Sequence, residues 1–227
     1  MKPSWVLTLL VVALGSPATL LAQTPPSTSD VTLAVTQARK VDAVLMRQYS
    51  WISRTEIIEQ GQVKDVRIEA VTCGSTGQLH RSVVDEGSVP SASPRPHIAE
   101  HERLKVDEYV AGLRSLLDDY TLPRAGQVQN FMNTATTSGP DADGLVGVTG
   151  RNVVMPGDTF SMWVDPRKPG HGPKVQVSTS FDGDSVVLTA MFTTLPSGLN
   201  HVAYAEVTVP GRQISLRVHN FDFTRNN

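Results

Sequence analysis

The chain has 227 residues, of which 40% are hydrophobic and 19% charged, and its 20 basic and 22 acidic residues give a formal net charge of −2. This balance excludes a nucleic-acid-binding protein that depends on a basic surface, because such a protein needs a clear excess or patch of Lys and Arg. It also excludes a fully disordered chain, because a nearly neutral chain with this apolar content can bury a core. The length suits one domain or two small ones.

The first residues have the pattern of a cleaved signal peptide. Residues 1–22 combine a short basic start at Lys2, an apolar run at 5–14 and helix-breaking residues at 15–17. A transmembrane anchor is disfavoured, because the apolar run is shorter than the roughly 20 residues that span a bilayer. We therefore expect export to the periplasm or the medium, a mature chain that begins near Gln23, and no integral membrane segment after cleavage.

The first part of the mature chain is predicted to form a helix and three strands. Residues 23–30 are interpreted as a flexible leader, and Asp30 as the cap of a helix at 31–48, where apolar residues recur at spacings of three and four. Runs of β-branched and aromatic residues then predict an antiparallel meander with a turn at Gly61-Gln62. Its strands are expected at 49–60, 63–72 and 78–84.

The middle of the chain is predicted to be helical. Residues 85–97 contain three prolines and three serines, which indicates a loop. A central helix follows at 104–120, then a short helix at 125–135 and a loop at 136–144. The central helix has a continuous apolar stripe, which consists of Val106, Tyr109, Val110, Leu113, Leu116, Leu117 and Tyr120.

From Leu145 onwards the pattern predicts a series of antiparallel strands. Short turns link them, and Asp182-Gly183 is a strong signal for a tight hairpin. Polar residues on one face of several strands indicate that one side of the sheet meets water, so the helices are expected to cover the other side. We therefore predict a single α+β domain at 31–227, with a helical insertion at about 97–135.

The order of these elements resembles that of a group of exported bacterial proteins. The resemblance is carried by residues 49–84, 104–123, 155–166 and 186–223, which include LKVDEYVAGLRSLLDDYTLP and MPGDTFSMWVDP. They are similar to the LolA/LppX-like group, above all to members with no assigned activity. The resemblance implies a curved, incompletely closed antiparallel β-sheet that wraps central amphipathic helices. It also implies a non-catalytic protein that binds an acyl chain or a lipoprotein lipid, without carrying over any individual binding residue.

Apolar residues of the central helix and of the sheet are the candidate ligand contacts. An acyl chain that lies between them would gain roughly 0.8 kcal/mol for each buried methylene. The alternative is a closed core, in which the same side chains fill the interior and leave a structural or protein-interaction role. The residues expected to face this space are Tyr109, Leu113, Leu116, Phe160, Met162, Leu188 and Phe192.

One short motif is compatible with metal chemistry. His97, Glu100 and His101 have the spacing H-x-x-E-H, in which two His on one helix face bind zinc and a Glu acts as a base. A catalytic zinc needs a third protein ligand, and the sequence shows none at a matching spacing. We therefore predict no metal site, no catalytic residue and no enzyme activity, with a zinc hydrolase as the less favoured alternative. No phosphate-binding loop or dinucleotide fingerprint is present, so no cofactor is expected.

The remaining polar candidates are interpreted as structural. His201, His219 and Asp222 would suggest a catalytic triad only beside an activated serine, but the sequence has no G-x-S-x-G motif, so they are interpreted as surface strand residues. Cys73 is the single cysteine and cannot form an internal disulfide. It is interpreted as a partly buried, unreactive thiol.

Overall fold

The structure, a computed structural model, describes residues 27–88, 96–122, 124–168 and 172–226. The predicted signal peptide and the first part of the predicted leader lie outside these residues. The helices are α1 (Thr28–Met46), α2 (Pro96–Thr121) and α3 (Ala125–Thr134). The strands are β1 (Tyr49–Glu59), β2 (Gln62–Cys73), β3 (Leu79–Ser88), β4 (Thr136–Pro140), β5 (Val146–Arg151), β6 (Thr159–Val164), β7 (Lys174–Phe181), β8 (Asp184–Thr194), β9 (Asn200–Val209) and β10 (Ile214–Arg225).

All of these strands belong to one antiparallel sheet. Their order is β3-β2-β1-β10-β9-β8-β7-β6-β5-β4, so within the described ranges the edge strands β3 and β4 do not pair and the sheet stays open. Most neighbours in the sheet are also consecutive in the chain, and the long-range pairing of β1 with β10 joins the first three strands to the rest. The predicted α+β fold, with a curved and incompletely closed antiparallel sheet, is confirmed.

The helices cover one face of the sheet and bury the main core against it. Leu113 of α2 is fully buried and Leu116 is 6% exposed, and both belong to a cluster that includes side chains from most of the strands. In β7, Val175 and Val177 are buried whereas Gln176 is exposed, which is the alternation of a sheet with one covered face. The prediction that the stripe of the central helix points into the sheet is therefore confirmed.

The first helix begins at a different residue from the one expected. Ser27, and not Asp30, is the N-cap: its hydroxyl accepts a hydrogen bond from the Asp30 backbone N–H at 3.2 Å and donates one to the Asp30 carboxylate at 2.6 Å. Asp30 instead occupies the first turn, where a negative charge is favoured by the helix dipole. Ser and Asp are both favoured at the start of a helix, so the residue types alone did not show which of Ser27 and Asp30 is the N-cap.

Two strands extend into segments that the sequence predicts as loops. β3 continues to Ser88, four residues beyond the predicted boundary, by pairing with β2. β4 occupies 136–140, where the sequence predicts a loop, and every residue in it is exposed. A strand exposed on both faces has no apolar alternation, and Gly and Pro are tolerated in it because it lies at the edge of the sheet. The first hairpin turns at Gln60-Gly61, one residue before the predicted pair, and both residues have positive φ.

A buried aspartate connects α2 to the loop before β6. The Tyr120 hydroxyl donates to Asp158 Oδ2 at 2.7 Å, and the Asp158 carboxylate also accepts from the backbone N–H groups of Val153, Val154 and Met155. Asp158 is only 1% exposed, so these hydrogen bonds satisfy a charge that would be costly to bury without partners. They fix the end of α2 relative to the sheet.

We predict that Gly112→Ala destabilises the protein, although alanine favours a helix by about 1 kcal/mol over glycine. A Cβ at Gly112 would lie well inside van der Waals distance of the Phe181 ring. The resulting overpacking is expected to cost about 1–3 kcal/mol in urea unfolding. Gly126→Ala in α3 is the control, because a Cβ there meets no atom within 4 Å. Equal stability of the two variants would show that α2 is not pressed against β7.

Candidate functional site

A large cavity separates the C-terminal halves of α1 and α2 from the sheet. It has a volume of about 930 Å³, and its walls on the sheet side come from β1, β2, β3, β8, β9 and β10. A second apolar cluster, distinct from the main core, lies at this end of the molecule and supplies much of its apolar wall. The apolar side chains around it include Met46, Trp51, Leu79, Leu122, Phe192 and Phe223.

One face of α1 forms part of this wall. Arg39, Asp42, Ala43 and Met46 all line the cavity, and their spacings of three and four residues place them along the same side of the helix. The Arg39 guanidinium lies 4.7 Å from the centroid of the Phe192 ring, which is a cation–π contact. Burial lowers the pKa of Arg39, and the nearby Asp42 carboxylate opposes that shift.

Aromatic rings form the opposite wall. Trp51 of β1 stacks on Phe223 of β10, with ring centroids 5.3 Å apart and planes at 9°. The Phe223 ring also contacts the His201 ring, at 3.8 Å between centroids. The pairing of β1 with β10 places Trp51 and Phe223 on adjacent strands. This wall offers a flat, rigid apolar surface of the kind that ligand sites use.

Buried polar groups lie beside the aromatic wall. Asp42 is 6% exposed and accepts a hydrogen bond from the Asn200 backbone N–H at 2.9 Å, which ties α1 to the start of β9. His201 is 3% exposed, so its interpretation as a surface residue is wrong. The first two residues of β9, Asn200 and His201, are both buried, next to a bulge in the β8–β9 pairing, and this breaks the alternation used to place them. His219 and Asp222 are exposed, as expected.

Two arginines of the cavity wall are held by acidic partners. Arg81 Nη2 donates to both carboxylate oxygens of Asp118 at 2.9 and 2.8 Å. Arg114 Nη2 lies 2.5 Å from Glu69 Oε2, and both side chains are almost completely buried. The pKa of Arg114 is lowered to about 10, mainly by burial and then by the charge of Arg81, whereas Glu69 opposes the shift. Ion pairs thus join α2 to β2 and β3 at this cavity.

Cys73 also lies at the cavity. Its thiol is half-buried and free of any disulfide, which agrees with the position predicted from the sequence. Burial raises the pKa of this thiol, although the charge of Arg47 opposes the shift. A thiol with a raised pKa is mostly protonated near neutral pH and is a weak nucleophile. The arrangement therefore supports the prediction that Cys73 is unreactive.

The structure separates the predicted ligand contacts into two groups. Phe192 lines the large cavity. The other six lie in the main core, where Phe160 and Met162 border a small void of about 30 Å³, close to the size of one water molecule. These core residues are Tyr109, Leu113, Leu116, Phe160, Met162 and Leu188. Ligand contact by any of the seven stays a prediction.

Several cavity residues were missed by sequence reasoning. Trp51 and Phe223 are far apart in the chain, and only the pairing of β1 with β10 brings them together. Arg39 and Asp42 look like an ordinary solvated helix face in the sequence. The one usable signal was HNFDF near the C-terminus, where aromatic and polar residues mix on a strand that must bury one face.

The metal motif lies partly outside the described structure. The backbone of His97, Glu100 and His101 belongs to the start of α2, but their side chains are not among the described ones. Where side chains are described, no group of three His, Cys, Asp or Glu residues is close enough to hold a metal ion. In the same part of the chain, no helix has both the length and the apolar character needed to cross a membrane.

Comparison with known proteins finds similar solved structures, two of which are described here. No protein-family model and no curated protein matches the chain. A DUF1329 family protein from Desulfovibrio piger is 12% identical with a TM-score of 0.49, over 89% of this chain and 94% of that one. A LolA superfamily protein from Nitrosomonas europaea is 10% identical with a TM-score of 0.42, over the same shares. The second belongs to the group that the sequence resembles.

Proposed function

We propose that this chain is an exported, non-catalytic binding protein that holds an acyl chain, free or as part of a lipoprotein, in the cavity between its helices and its sheet. The observation that carries the proposal is the cavity itself. Its volume of about 930 Å³ lies in the range of small-molecule sites, roughly 300–1,000 Å³, and aromatic and aliphatic side chains form much of its wall. Each methylene that leaves water for this wall contributes roughly 0.8 kcal/mol.

The wall carries both apolar and polar groups, which suit the two ends of an amphipathic ligand. Trp51, Phe223 and Met46 offer apolar surface to a chain. Arg39, Asp42 and His201 place polar groups at the same cavity, where they can orient a head group. A carrier of this kind needs no bond-making residue, and its specificity comes from the few polar groups that face the ligand.

The binding proposal predicts that filling part of the cavity weakens the binding of an apolar ligand. Ala43 lines the cavity from an exposed position on α1, so Ala43→Trp adds an indole without removing a core contact. We expect the affinity for Nile red, measured by its fluorescence, to fall at least about tenfold, or about 1.4 kcal/mol, because the indole occupies space in which the dye would bind. The control is Val44→Trp, because Val44 is 57% exposed and does not line the cavity. Wild-type protein that does not bind the dye would contradict the proposal.

Export is the second part of the proposal and rests on residues 1–22. A basic start, a short apolar run and helix-breaking residues form the signal pattern described above. We expect exported protein to begin near Gln23, as read by N-terminal sequencing. Exported material that still begins at Met1 would refute cleavage.

A closed-core protein-interaction module is the second candidate. It is favoured by the placement of six predicted contact residues in the main core, where two of them, Leu113 and Leu188, are fully buried. In that case the cavity would be a solvent-filled cleft with no ligand of its own. Native mass spectrometry of gently purified protein distinguishes the two, because only a carrier should retain a co-purified lipid.

A further inference from the structure

The charged side chains around the large cavity do not balance. Among the described residues, five arginines but only three aspartates line it. Three of the arginines lie within ion-pair distance of an acidic group, in the pairs Arg81–Asp118, Arg114–Glu69 and Arg124–Asp119. The other two arginines are Arg39 and Arg47, and the remaining aspartate is Asp42. Even with Glu69 included, the cavity therefore has an excess of one positive charge.

Arg39 presents its guanidinium to the cavity with no acidic group close by. In the described part of the chain, no carboxylate lies within ion-pair distance of it, and the Asp42 charge acts on it only from further away. The guanidinium lies over the Phe192 ring, which is not a strong hydrogen-bond acceptor. The side chain is half-buried, and its nitrogens are not among the enclosed polar atoms that lack a partner, so a group in the cavity can reach them.

An anion beside Arg39 would offset the cost of burying this charge. An arginine stays protonated in proteins, so burial does not remove its charge. Burial nevertheless lowers the pKa of Arg39, because the charged form is disfavoured away from water. A carboxylate or a phosphate can accept two parallel hydrogen bonds from one guanidinium, which makes such pairs strong and well oriented. Arg47 is exposed, and an ion pair in water contributes little.

Apolar surface for a chain extends along α1 from Arg39. Arg39 and Met46 line the cavity from the same side of the helix and are seven residues apart, which is roughly 10 Å along the helix axis. Met46 belongs to the second apolar cluster together with Trp51, and the Trp51 ring stacks on Phe223. A head group at Arg39 would therefore leave its chain to run along α1 onto this aromatic wall.

We propose that the bound acyl ligand has an anionic head, a carboxylate or a phosphate, whose oxygens accept hydrogen bonds from the Arg39 guanidinium. The inference rests on the proposed binding function and narrows its ligand class to anionic lipids. A head with one negative charge balances the excess positive charge of the wall. An uncharged head leaves that excess in place, and a cationic head adds to it.

The test compares ligands that share a chain and differ in the charge of the head. Laurate and methyl laurate are each used to displace Nile red from the full chain near neutral pH. An uncharged cavity would favour the ester, because a carboxylate loses hydration when it leaves water. We expect wild-type protein to bind laurate at least about tenfold more tightly, the size of a hydrogen bond to a charged group. Dodecyl phosphate is the third ligand. Its binding more tightly than laurate would identify the head as a lipid phosphate, and the reverse order as a fatty-acid carboxylate.

Two variants test which arginine binds the head. Arg39→Met keeps a long apolar side chain and removes the guanidinium. The preference for laurate should fall below about twofold, because the charge-assisted hydrogen bonds are lost, while methyl laurate affinity is unchanged. Arg47→Met is the matched control, because Arg47 lines the same cavity but is exposed, and it should keep most of the preference. Each displacement is corrected for the dye affinity of the same variant.

A second measurement uses wild-type protein alone. After labelling with nitrogen-15 arginine, laurate should shift the Nε resonance of Arg39 more than that of Arg47, whereas methyl laurate should not. Equal or tighter binding of methyl laurate would overturn the anionic head and leave acyl binding intact. A laurate preference kept in Arg39→Met and lost in Arg47→Met would overturn the role of Arg39. If none of the three ligands displaces the dye, or the dye does not bind, the binding proposal fails and this inference fails with it.

Discussion

Leu113→Ala is expected to lower the free energy of unfolding by about 3–5 kcal/mol, the upper part of the range for buried leucines. Leu113 is fully buried in the main core, where α2 meets the sheet, and it does not line the large cavity. Truncation therefore removes apolar contacts and leaves a void that the packed strands cannot close. Urea unfolding measures the loss.

The control is the same substitution at an exposed position of another helix. Leu33 of α1 is 54% exposed, so Leu33→Ala is expected to change stability by no more than about 0.5 kcal/mol. Helix propensity changes equally in both variants and cancels. Nile red binding should be unchanged in both, because neither residue lines the cavity. A small stability loss with weakened dye binding in Leu113→Ala would instead favour the ligand role that the sequence predicts for this residue.

The architecture could be predicted from the sequence because the local residue patterns agreed with the fold as a whole. The stripe that includes Leu113 repeats at helical spacing over several turns, and only a sheet was available to cover it. The Asp182-Gly183 hairpin could also be predicted from its residues alone. In the structure both residues adopt the positive φ that a tight hairpin requires, and Phe181 pairs with Asp184 across the turn. β4 was missed because an exposed edge strand has no apolar face to reveal it.

The site was harder to predict from the sequence because it is a cavity, in which side chains do not pack against one another. A buried residue that fills a core and one that lines a cavity have the same side chain, so Leu113 and Met46 cannot be told apart by pattern. The main core and the second apolar cluster are separate, and charged groups such as Arg114 line the cavity. His201 was misplaced because alternation assumes a regular strand and fails next to a bulge.

The ion pair between Arg114 and Glu69 gives the other large effect. Glu69→Ala is expected to lower the free energy of unfolding by about 3–5 kcal/mol, because it leaves a guanidinium buried without its counter-charge. The two side chains are 13% and 12% exposed, so water can replace the lost partner only in part. The pKa of Arg114 is already lowered to about 10 by burial with Glu69 in place. Losing the carboxylate removes a contribution that favours the charged form.

A matched exposed pair and a double variant separate the charge effect from simple truncation. Glu206 lies 2.9 Å from Arg217, whose side chain is 46% exposed, so Glu206→Ala should cost far less. Glu69→Leu combined with Arg114→Met should recover most of the stability, because apolar residues of similar volume can replace a buried pair at little cost. If Glu69→Ala lowers the free energy of unfolding no more than Glu206→Ala, water from the cavity solvates Arg114 and lies between α2 and β2. In that case the pair of Arg114 with Glu69 contributes little to the packing of α2 on the sheet, and the cavity can widen towards β2 without breaking a buried charge pair.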